Sequence, residues 1–445
     1  MRTRGKRRVA APVILGLAAA ILCSCQVRGA QATQSPLLKF FERPSGLLLY
    51  IASDGNVHVI DQKGGTRRAL TLDAGARGDR QVIYGSPAWS PDGTQVAFSR
   101  VTLGGSAEAV DSSLFTARRD GKNLTRVLSG SRLRPFYLYW SPDSRKVSLL
   151  SSVAGETFME MGIATAGQEG AYRPLDRGAP YYWDWRADSR AILVHVNAGR
   201  SGADGERLSL LGVDPDLSRT EVKADPGVFQ APSFSPDGRK IAYASTEQAV
   251  FTLHLGSADG SDEHAVATDV GGAYLEFSRD GKRLAWLAAA SLQPVPEGTL
   301  TVMDLGAKQG APPGKRTLKE APVLEFFWSP DGRTIAFVVP DSGDEVDPVF
   351  LKDDSLAYVR LMGFDAVTGA TWLIARFPPS RGFFDVLPFF DQYQRSSTPW
   401  SPDSRFIAFT AITNQGTPGI FVARADGNIA PRFLASGDQA FWSSR

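Results

Sequence analysis

A short turn motif recurs along the chain and constrains its fold more than any other feature. An aromatic residue is followed by Ser-Pro-Asp and then by Gly or Ser, and an apolar run begins soon afterwards. The copies at positions 185 and 277 are degenerate, and the copy at 442 is truncated. The eight aromatic residues are Trp89, Trp140, Trp185, Phe234, Phe277, Trp328, Trp400 and Trp442. Such repetition is typical of repeat folds.

The motif predicts a tight turn between two strands. Pro suits the first central position of a type I turn, Asp can bond nearby amides, and Gly accepts a left-handed backbone. The motif aspartates are Asp92, Asp143, Asp237, Asp280, Asp331 and Asp403. The apolar runs that follow, such as Val96-Ala97-Phe98 and Ile335-Ala336-Phe337, are β-branched and aromatic, as strands are.

The spacing of the motif predicts an all-β fold built from propeller blades. Successive aromatic positions are 42–51 residues apart, except for one interval of 72. A four-stranded blade takes about 40–50 residues. Eight aromatic positions predict an eight-bladed β-propeller, with seven blades as the alternative if one degenerate unit is miscounted. Because Gln439–Trp442 has no strand after it, we expect it to pair with Leu47–Tyr50 and close the ring.

These repeats resemble the propeller repeat of the TolB family, which is related to WD-repeat proteins. The resemblance rests on the Ser-Pro-Asp-Gly turns and their strands and covers residues 46–445. TolB proteins carry an N-terminal α/β domain before the propeller, for which this sequence leaves no room. The resemblance therefore implies the fold, and the role of TolB is not transferred with it.

The N-terminus predicts export. Residues 1–8 carry five basic residues and no acid, and residues 9–22 are apolar but too short to span a membrane. Leu22-Cys23-Ser24-Cys25 resembles a bacterial lipobox, which predicts a signal peptide at 1–24, a lipid on Cys25 and a tether at 25–45. Cleavage after Ala32 is the alternative. With a lipid on Cys25, the chain would be a membrane-anchored lipoprotein facing the periplasm or the cell surface.

The amino-acid composition of the chain restricts the classes of function that can be expected. Both cysteines, Cys23 and Cys25, lie near the predicted cleavage site, so the propeller has no disulfide. Loss of residues 1–24 would leave 44 of the 49 basic residues against 47 acidic residues. The charge balance therefore gives no reason to expect nucleic-acid binding. We predict no metal and no cofactor, because His58, His195, His254 and His264 lack metal-type spacing.

Two insertions in the 72-residue unit are the candidate interaction face. The first, Pro340–Asp354, is acidic, and the second, Pro378–Pro399, is aromatic. Both are expected on the face that carries the longer loops, where function tends to lie. The acidic run could instead be a solvated loop or a Ca²⁺ site, and the aromatic run could be a cap that packs on the propeller. The candidate face residues are Asp344, Glu345, Asp347, Phe383, Phe384, Phe389, Phe390 and Tyr393.

Two functional hypotheses follow. The first is a non-enzymatic scaffold in the cell envelope that binds a protein or peptide through this face. The second is a propeller that binds or hydrolyses polysaccharide, suggested by the aromatic strands Tyr137–Trp140 and Tyr181–Trp185 and by the acidic loop. No catalytic residue is predicted, since the sequence has no G-x-S-x-G, H-E-x-x-H or phosphate-binding glycine loop.

Overall fold

The repeat motif folds as a hydrogen-bonded turn at each of its full-length positions. In a computed structural model of the chain, the motif Ser hydroxyl donates to the motif Asp, as from Ser90 Oγ to Asp92 Oδ1 at 2.6 Å. The same Oδ1 accepts the amide two residues on, Thr94 N, at 2.9 Å. The residue after Asp has positive φ, 68° at Gly93. The turn chemistry predicted from the sequence is therefore confirmed.

The structure describes residues 45–106, 108–196, 207–213, 217–222, 230–247, 250–268, 272–291, 296–306, 314–318 and 322–445. The predicted signal peptide, the predicted lipid on Cys25 and the predicted tether up to residue 44 lie outside these residues. Among the residues described, no helix is long and apolar enough to cross a membrane.

The described strands form seven antiparallel sheets, and the described part of the chain is an all-β propeller with two short α-helices and one 3₁₀ helix. The first sheet has the order β29-β30-β31-β1-β2-β3, and its strands are β29 (Phe406–Ile412), β30 (Pro418–Arg424), β31 (Arg432–Trp442), β1 (Leu47–Ala52), β2 (Val57–Asp61) and β3 (Arg67–Ala69). The second has five strands, β4 (Gly75–Arg77), β5 (Arg80–Trp89), β6 (Gln95–Leu103), β7 (Ala109–Arg118) and β8 (Thr125–Gly130).

The other five sheets have four strands each. They are β9 (Leu133–Trp140), β10 (Lys146–Val153), β11 (Met159–Thr165) and β12 (Tyr172–Gly178); β13 (Tyr181–Trp185), β14 (Ala191–Val196), β15 (Arg207–Gly212) and β16 (Arg219–Glu221); β17 (Ser233–Phe234), β18 (Lys240–Glu247), β19 (Val250–Ser257) and β20 (His264–Thr268); β21 (Gly272–Phe277), β22 (Arg283–Ser291), β23 (Glu297–Asp304) and β24 (Lys315–Thr317); and β25 (Glu325–Trp328), β26 (Thr334–Asp341), β27 (Tyr358–Asp365) and β28 (Thr371–Phe377). The aromatic insertion contains α1 (Arg381–Val386), a 3₁₀ helix (Leu387–Phe389) and α2 (Phe390–Ser396).

The prediction of eight blades is wrong, because the described strands form seven sheets. The reason is that β31 runs without a break through two predicted units. Its first part pairs with β30, from Val422↔Arg432 to Gly419↔Ser436. Its second part pairs with β1, from Ala52↔Gly437 to Leu48↔Trp442. One shared strand thus joins two repeat units into one six-stranded sheet, which also makes the predicted contact between the C-terminal and N-terminal strands.

The repeat tryptophans connect neighbouring sheets. In five of the six repeat tryptophans, the indole N–H donates to the carbonyl of the residue just before the motif aromatic in the preceding unit. The exception is Trp442, whose Nε1 has no hydrogen-bond partner among the described residues. Trp140 Nε1 bonds Ala88 O at 3.3 Å, and Trp400 Nε1 bonds Phe327 O at 3.0 Å. The same bond joins Trp89 to Phe441, Trp185 to Tyr139 and Trp328 to Glu276. The wide ring therefore packs between sheets while its polar edge is satisfied.

Serine replaces glycine in some motif turns and forms a bond between units. Ser144 has φ of 61°, and its Oγ accepts the backbone N–H of Asp92, in the preceding unit, at 3.1 Å. Asp143 N and Ser189 Oγ form the same bond at 3.0 Å. These positions tolerate a left-handed serine because its hydroxyl completes a contact that glycine cannot make.

We expect Ser144→Ala to destabilise the chain by about 1 kcal/mol more than Ser144→Gly. Alanine removes the hydroxyl and keeps the left-handed strain, whereas glycine removes both. The measurement is urea unfolding of the two variants beside the wild type. Equal stability of the two variants would show that the left-handed backbone at this position carries no cost.

Candidate functional site

The strands that end at a motif aromatic line the propeller channel. Side chains alternate along a strand, so the residues one and three positions before each aromatic point to the same side. The positions immediately before it are Ala88, Tyr139, Asp184, Ser233, Glu276, Phe327, Pro399 and Phe441. The positions three before it are Ser86, Tyr137, Tyr182, Ala231, Tyr274, Glu325, Ser397 and Gln439. The contacts below place members of both sets around α2 and two adjoining cavities.

Both insertions lie at one face. The acidic insertion reaches the end of β29, where Leu351 N donates to Ile412 O at 3.2 Å. The aromatic insertion reaches the same end, because Ile412 N donates to Pro378 O at 2.9 Å and Ser380 N donates to Thr410 O at 3.1 Å. We call this face of the propeller the loop face.

The polar side chains of α2 bind the channel wall. Gln392 is buried, and its side-chain oxygen accepts Trp183 N at 3.1 Å. Its amide nitrogen donates to Trp183 O at 2.8 Å and to the Tyr137 hydroxyl at 3.1 Å. Tyr137 in turn donates to Gln392 O at 2.6 Å. A helix held by four such bonds has a fixed position in the channel.

Arg395 neutralises two channel acids. Its side chain is 2% exposed, and Nε donates to Glu276 Oε2 at 2.9 Å. Nη1 lies 4.0 Å from Asp184 Oδ2 and donates to Pro232 O at 2.6 Å. Burial raises the pKa of Glu276 to about 7, against the lowering effect of Arg395. The arginine thus compensates charges that burial would otherwise make costly.

A third buried acid, Asp391, belongs to α2 itself. Asp391 is buried, and its carboxylate accepts Ala231 N at 3.3 Å and Gln392 N at 2.9 Å. Burial raises the pKa of Asp391 to about 6, although Arg395 acts in the opposite direction.

The aromatic insertion is mainly a cap. Phe390 is completely buried, stacks on Tyr274 with ring centroids 5.1 Å apart, and meets Phe326 edge-on at 5.3 Å. Tyr393 packs edge-on against Tyr137 at 4.9 Å. Of the predicted face residues, Phe390 is therefore a core residue, and Tyr393 is mostly covered because it packs on the channel wall.

The remaining aromatic residues of the insertion differ in exposure. Phe383 and Phe384 are partly buried and pack against the core of β26–β29, with Phe383 meeting Phe377 edge-on at 5.7 Å. Phe389 is 39% exposed. A second exposed aromatic on the loop face is Phe136, at 38%, in the middle of β9. The insertion thus buries most of its rings and presents Phe389.

The acidic insertion is anchored through Phe350. This ring is buried among Phe377, Phe409 and Phe421, the last at 4.6 Å between centroids. Glu345 is exposed and pairs with Arg376 at 2.5 Å. Asp347 Oδ1 accepts Val349 N at 3.1 Å and shapes the turn, and Asp344 is exposed. The predicted acids lie on the loop face. There Asp347 shapes a turn, and Glu345 forms an ion pair.

Two cavities separate the helical insertion from the channel wall. The outer cavity has a volume of about 170 Å³, counted as space open to the centre of a water molecule, and includes Phe136, Asp385 and Ser86 in its lining. The inner cavity, about 60 Å³, is mostly apolar and includes Glu325 and Phe390. They share Val386, Tyr393, Ser397, Gln439 and Phe441. Both cavities therefore adjoin the helical insertion.

Glu325 differs from the other channel acids. It is 1% exposed, and neither carboxylate oxygen has a hydrogen-bond partner among the residues described. The side-chain oxygen of Gln439, also in the inner cavity, has none either. Burial raises the pKa of Glu325 well above its ordinary value. Buried polar groups normally have partners, so these three oxygen atoms mark an unusual place.

The histidines each have a local partner. His58 lies 3.3 Å from Asp54, His254 lies 2.7 Å from Glu263, and His195 Nδ1 lies 2.6 Å from Gln230 O. His264 Nδ1 lies 3.3 Å from Asp262 O. Across the described ranges, no group of three or more His, Cys, Asp or Glu side chains could hold a metal ion.

Sequence reasoning missed Asp184, Glu276, Glu325 and Arg395. A signal for the three acids was present, since they stand one or three residues before a motif aromatic. In the sequence, Arg395 lies inside an aromatic run, and the role of that run was predicted from its aromatic side chains alone. Only the packing of α2 shows which acids this arginine reaches.

Comparison with known proteins gives likeness of fold. No protein-family model and no curated protein sequence matches the chain. The crystal structure of a eukaryotic initiation factor is similar with a TM-score of 0.50 and 12% identity, covering 91% of this chain and 99% of that one. Oligogalacturonate lyase from Vibrio parahaemolyticus is similar at 0.48 and 12%, covering 85% and 97%. TolB from Acinetobacter baumannii is similar at 0.39 and 15%, covering 89% and 81%.

TolB proteins are thus among the structural neighbours, and the chain has the propeller fold that the sequence resemblance implies. At these identities the likeness concerns the fold alone.

Proposed function

We propose that this chain is a non-enzymatic scaffold of the cell envelope, exported and held at a membrane by a lipid on Cys25. It binds a protein or peptide partner through the loop face. The sequence of residues 1–25 supports export and anchoring. The binding face comprises Phe389 and Phe136 together with the acids Asp344, Glu345 and Asp347.

The observation that carries the proposal is the rigid attachment of the aromatic insertion. Gln392, Arg395 and Phe390 fix α2 in the channel, so the insertion presents Phe389 from a pre-ordered surface. Exposed aromatic residues on a fixed surface are suited to partner binding, because little conformational freedom is lost on association. Phe350 anchors the neighbouring acidic loop in the same way.

The channel acids favour binding over hydrolysis. Glycoside hydrolysis requires two carboxyl groups that face the substrate across a short gap. Asp184 and Glu276 instead lie beneath α2 and face the same arginine. Glu325 stands apart from them in a separate apolar cavity.

We expect the double variant Phe136→Ser/Phe389→Ser to lose its partner, because these rings are the exposed aromatic residues of the loop face. The full-length protein is isolated from its own membranes after photo-crosslinking, and captured proteins are identified by mass spectrometry. The matched control is Leu124→Ser/Val367→Ser, which changes two residues of 46% and 45% exposure between the outer strands at the opposite face.

A partner that crosslinks to wild type and control but not to the aromatic variant supports the proposal. Equal capture by all three proteins would contradict binding through this face. A Cys25→Ser protein that stays in the membrane fraction would contradict the lipid anchor, independently of the capture result.

A further inference from the structure

The inner cavity lies beneath α1 and α2, against the channel wall. Its walls include the rings of Phe327, Phe383, Phe390 and Tyr393. Glu325 enters it from β25, and Gln439 enters it from β31. Its volume of about 60 Å³, as space open to the centre of a water molecule, accommodates a few waters or a small organic group.

The neighbouring channel acids show what Glu325 lacks. Glu276 and Asp184 face the guanidinium of Arg395, and Asp391 accepts two backbone amides. Glu325 is as deeply buried, yet no cation of the described chain pairs with it and no donor reaches its oxygens. A buried carboxylate without such compensation is costly to ionise. A cation supplied from outside the chain would compensate its charge.

The rest of the cavity indicates which kind of cation fits. Ca²⁺ and Mg²⁺ require several oxygen ligands, preferably charged ones. This cavity offers one carboxylate, one amide oxygen and the hydroxyls of Ser397 and Thr410 among apolar and aromatic side chains. Aromatic faces attract ammonium groups within about 6 Å of the ring centroid. One carboxylate facing several rings is the combination that recognises an organic ammonium ion.

We infer that the inner cavity is a binding site for a small alkylammonium ligand, with Glu325 as its counter-ion and Phe327, Phe390 and Tyr393 as its aromatic wall. The ammonium N–H groups donate to Glu325, and one reaches the side-chain oxygen of Gln439.

The outer cavity provides the route of entry. It shares Val386, Tyr393 and Ser397 with the inner cavity. Asp385 lines it and is exposed. A carboxylate at the entrance raises the local concentration of cations. The ligand therefore passes Asp385 and Tyr393 before it reaches Glu325.

The protonation of Glu325 makes binding depend on pH. In the empty cavity burial favours the neutral acid, whereas the bound ammonium requires the carboxylate. Binding therefore releases a proton from Glu325. Affinity should increase as pH rises, by up to roughly tenfold per pH unit below the pKa of Glu325 in the empty protein.

The test is calorimetric titration of the full chain with ethylammonium, beside uncharged n-propanol. We expect saturable binding of a cation, no binding of the alcohol, and release of one proton, measured by repeating the titration in buffers of different ionisation enthalpy. Glu325→Gln should bind roughly tenfold or more weakly. Glu297→Gln changes an exposed acid of β23 and should match the wild type.

A second ligand distinguishes the source of the ammonium group. Nα-acetyl-lysine methylamide represents a lysine of a partner chain, and binding of this compound more tightly than ethylammonium would assign the site to a partner's side chain. Absence of saturable cation binding, equal binding of the alcohol, or unchanged binding by folded Glu325→Gln would overturn the inference. Circular dichroism and thermal unfolding establish that the variant is folded.

Discussion

Replacing Arg395 with methionine is expected to destabilise the chain by about 3–5 kcal/mol, the usual cost of removing one partner from a buried ion pair. The substitution leaves Glu276 and Asp184 facing each other across a dry site, without the guanidinium that each now contacts. Methionine fills a similar volume, so the loss is mainly one of charge compensation. Urea unfolding at about neutral pH measures it.

The effect should depend on pH in a fixed direction. A carboxyl group whose pKa is raised in the folded state stabilises the fold when protonated, and that stability is lost as pH rises through its folded pKa. The pKa is about 7 for Glu276 and about 6 for Asp391 even with Arg395 present. The variant should therefore be closer to wild type at about pH 5 than at about pH 8.

A triple variant provides the control. Asp184→Asn/Glu276→Gln/Arg395→Met removes the arginine together with the two acids that face it. It should recover most of the stability that Arg395→Met loses, because neither of these two acids is left as an unpaired charge. Equal instability of the single and triple variants would show that packing of the arginine stem, and not its charge, is what stabilises the cap.

The motif turns show how much of the fold local chemistry determines. Ser90, Asp92 and Gly93 form their turn with hydrogen bonds inside six residues, so their structure was predictable from their order alone. The number of sheets was not predictable from the sequence. It depends on whether β31 breaks between Ser436 and Gly437, and the backbone there continues with φ of 151° at Gly437. Nothing in the repeat spacing reports that continuity.

The position of the candidate site was predictable from the sequence, but only some of its residues were. The length of the 72-residue unit indicated the loop face, and both insertions meet there at β29. The interpretation of the aromatic run could not be decided, because a sequence does not show which rings face the channel. Phe390 and Phe389 are neighbours, yet one is buried against Tyr274 and the other is exposed.

The roles of the polar channel residues were the hardest to predict from the sequence, although their contacts are the clearest in the structure. Glu325 and Glu276 occupy comparable strand positions in successive units, three residues and one residue before the aromatic. Only Glu276 meets Arg395, because the position of α2 brings the guanidinium to one side of the channel. The different surroundings of two acids in equivalent strands thus arise from one inserted helix.

Truncation of residues 437–445 is expected to abolish cooperative folding. These residues pair with β1, whose Leu48, Leu49 and Tyr50 are completely buried, and Phe441 O accepts the indole N–H of Trp89. Trp442, 1% exposed, packs in the core that joins β1 to β29 and β30. Loss of one buried tryptophan side chain costs about 3–5 kcal/mol. Loss of its whole strand should exceed the usual total stability of about 5–15 kcal/mol.

Urea unfolding followed by tryptophan fluorescence, together with size-exclusion chromatography, measures the result. The expected outcome is aggregation or a non-cooperative transition, because the exposed edge of β1 is free to pair with other chains. Removal of residues 444–445 alone is the matched control. It retains Ser443, whose N–H donates to Leu47 O at 2.7 Å, and should unfold like wild type. If the variant that lacks residues 437–445 is monomeric and unfolds cooperatively, β1 needs no partner from the C-terminal strand. Addition of the missing segment as a peptide would then leave the unfolding midpoint of this variant unchanged.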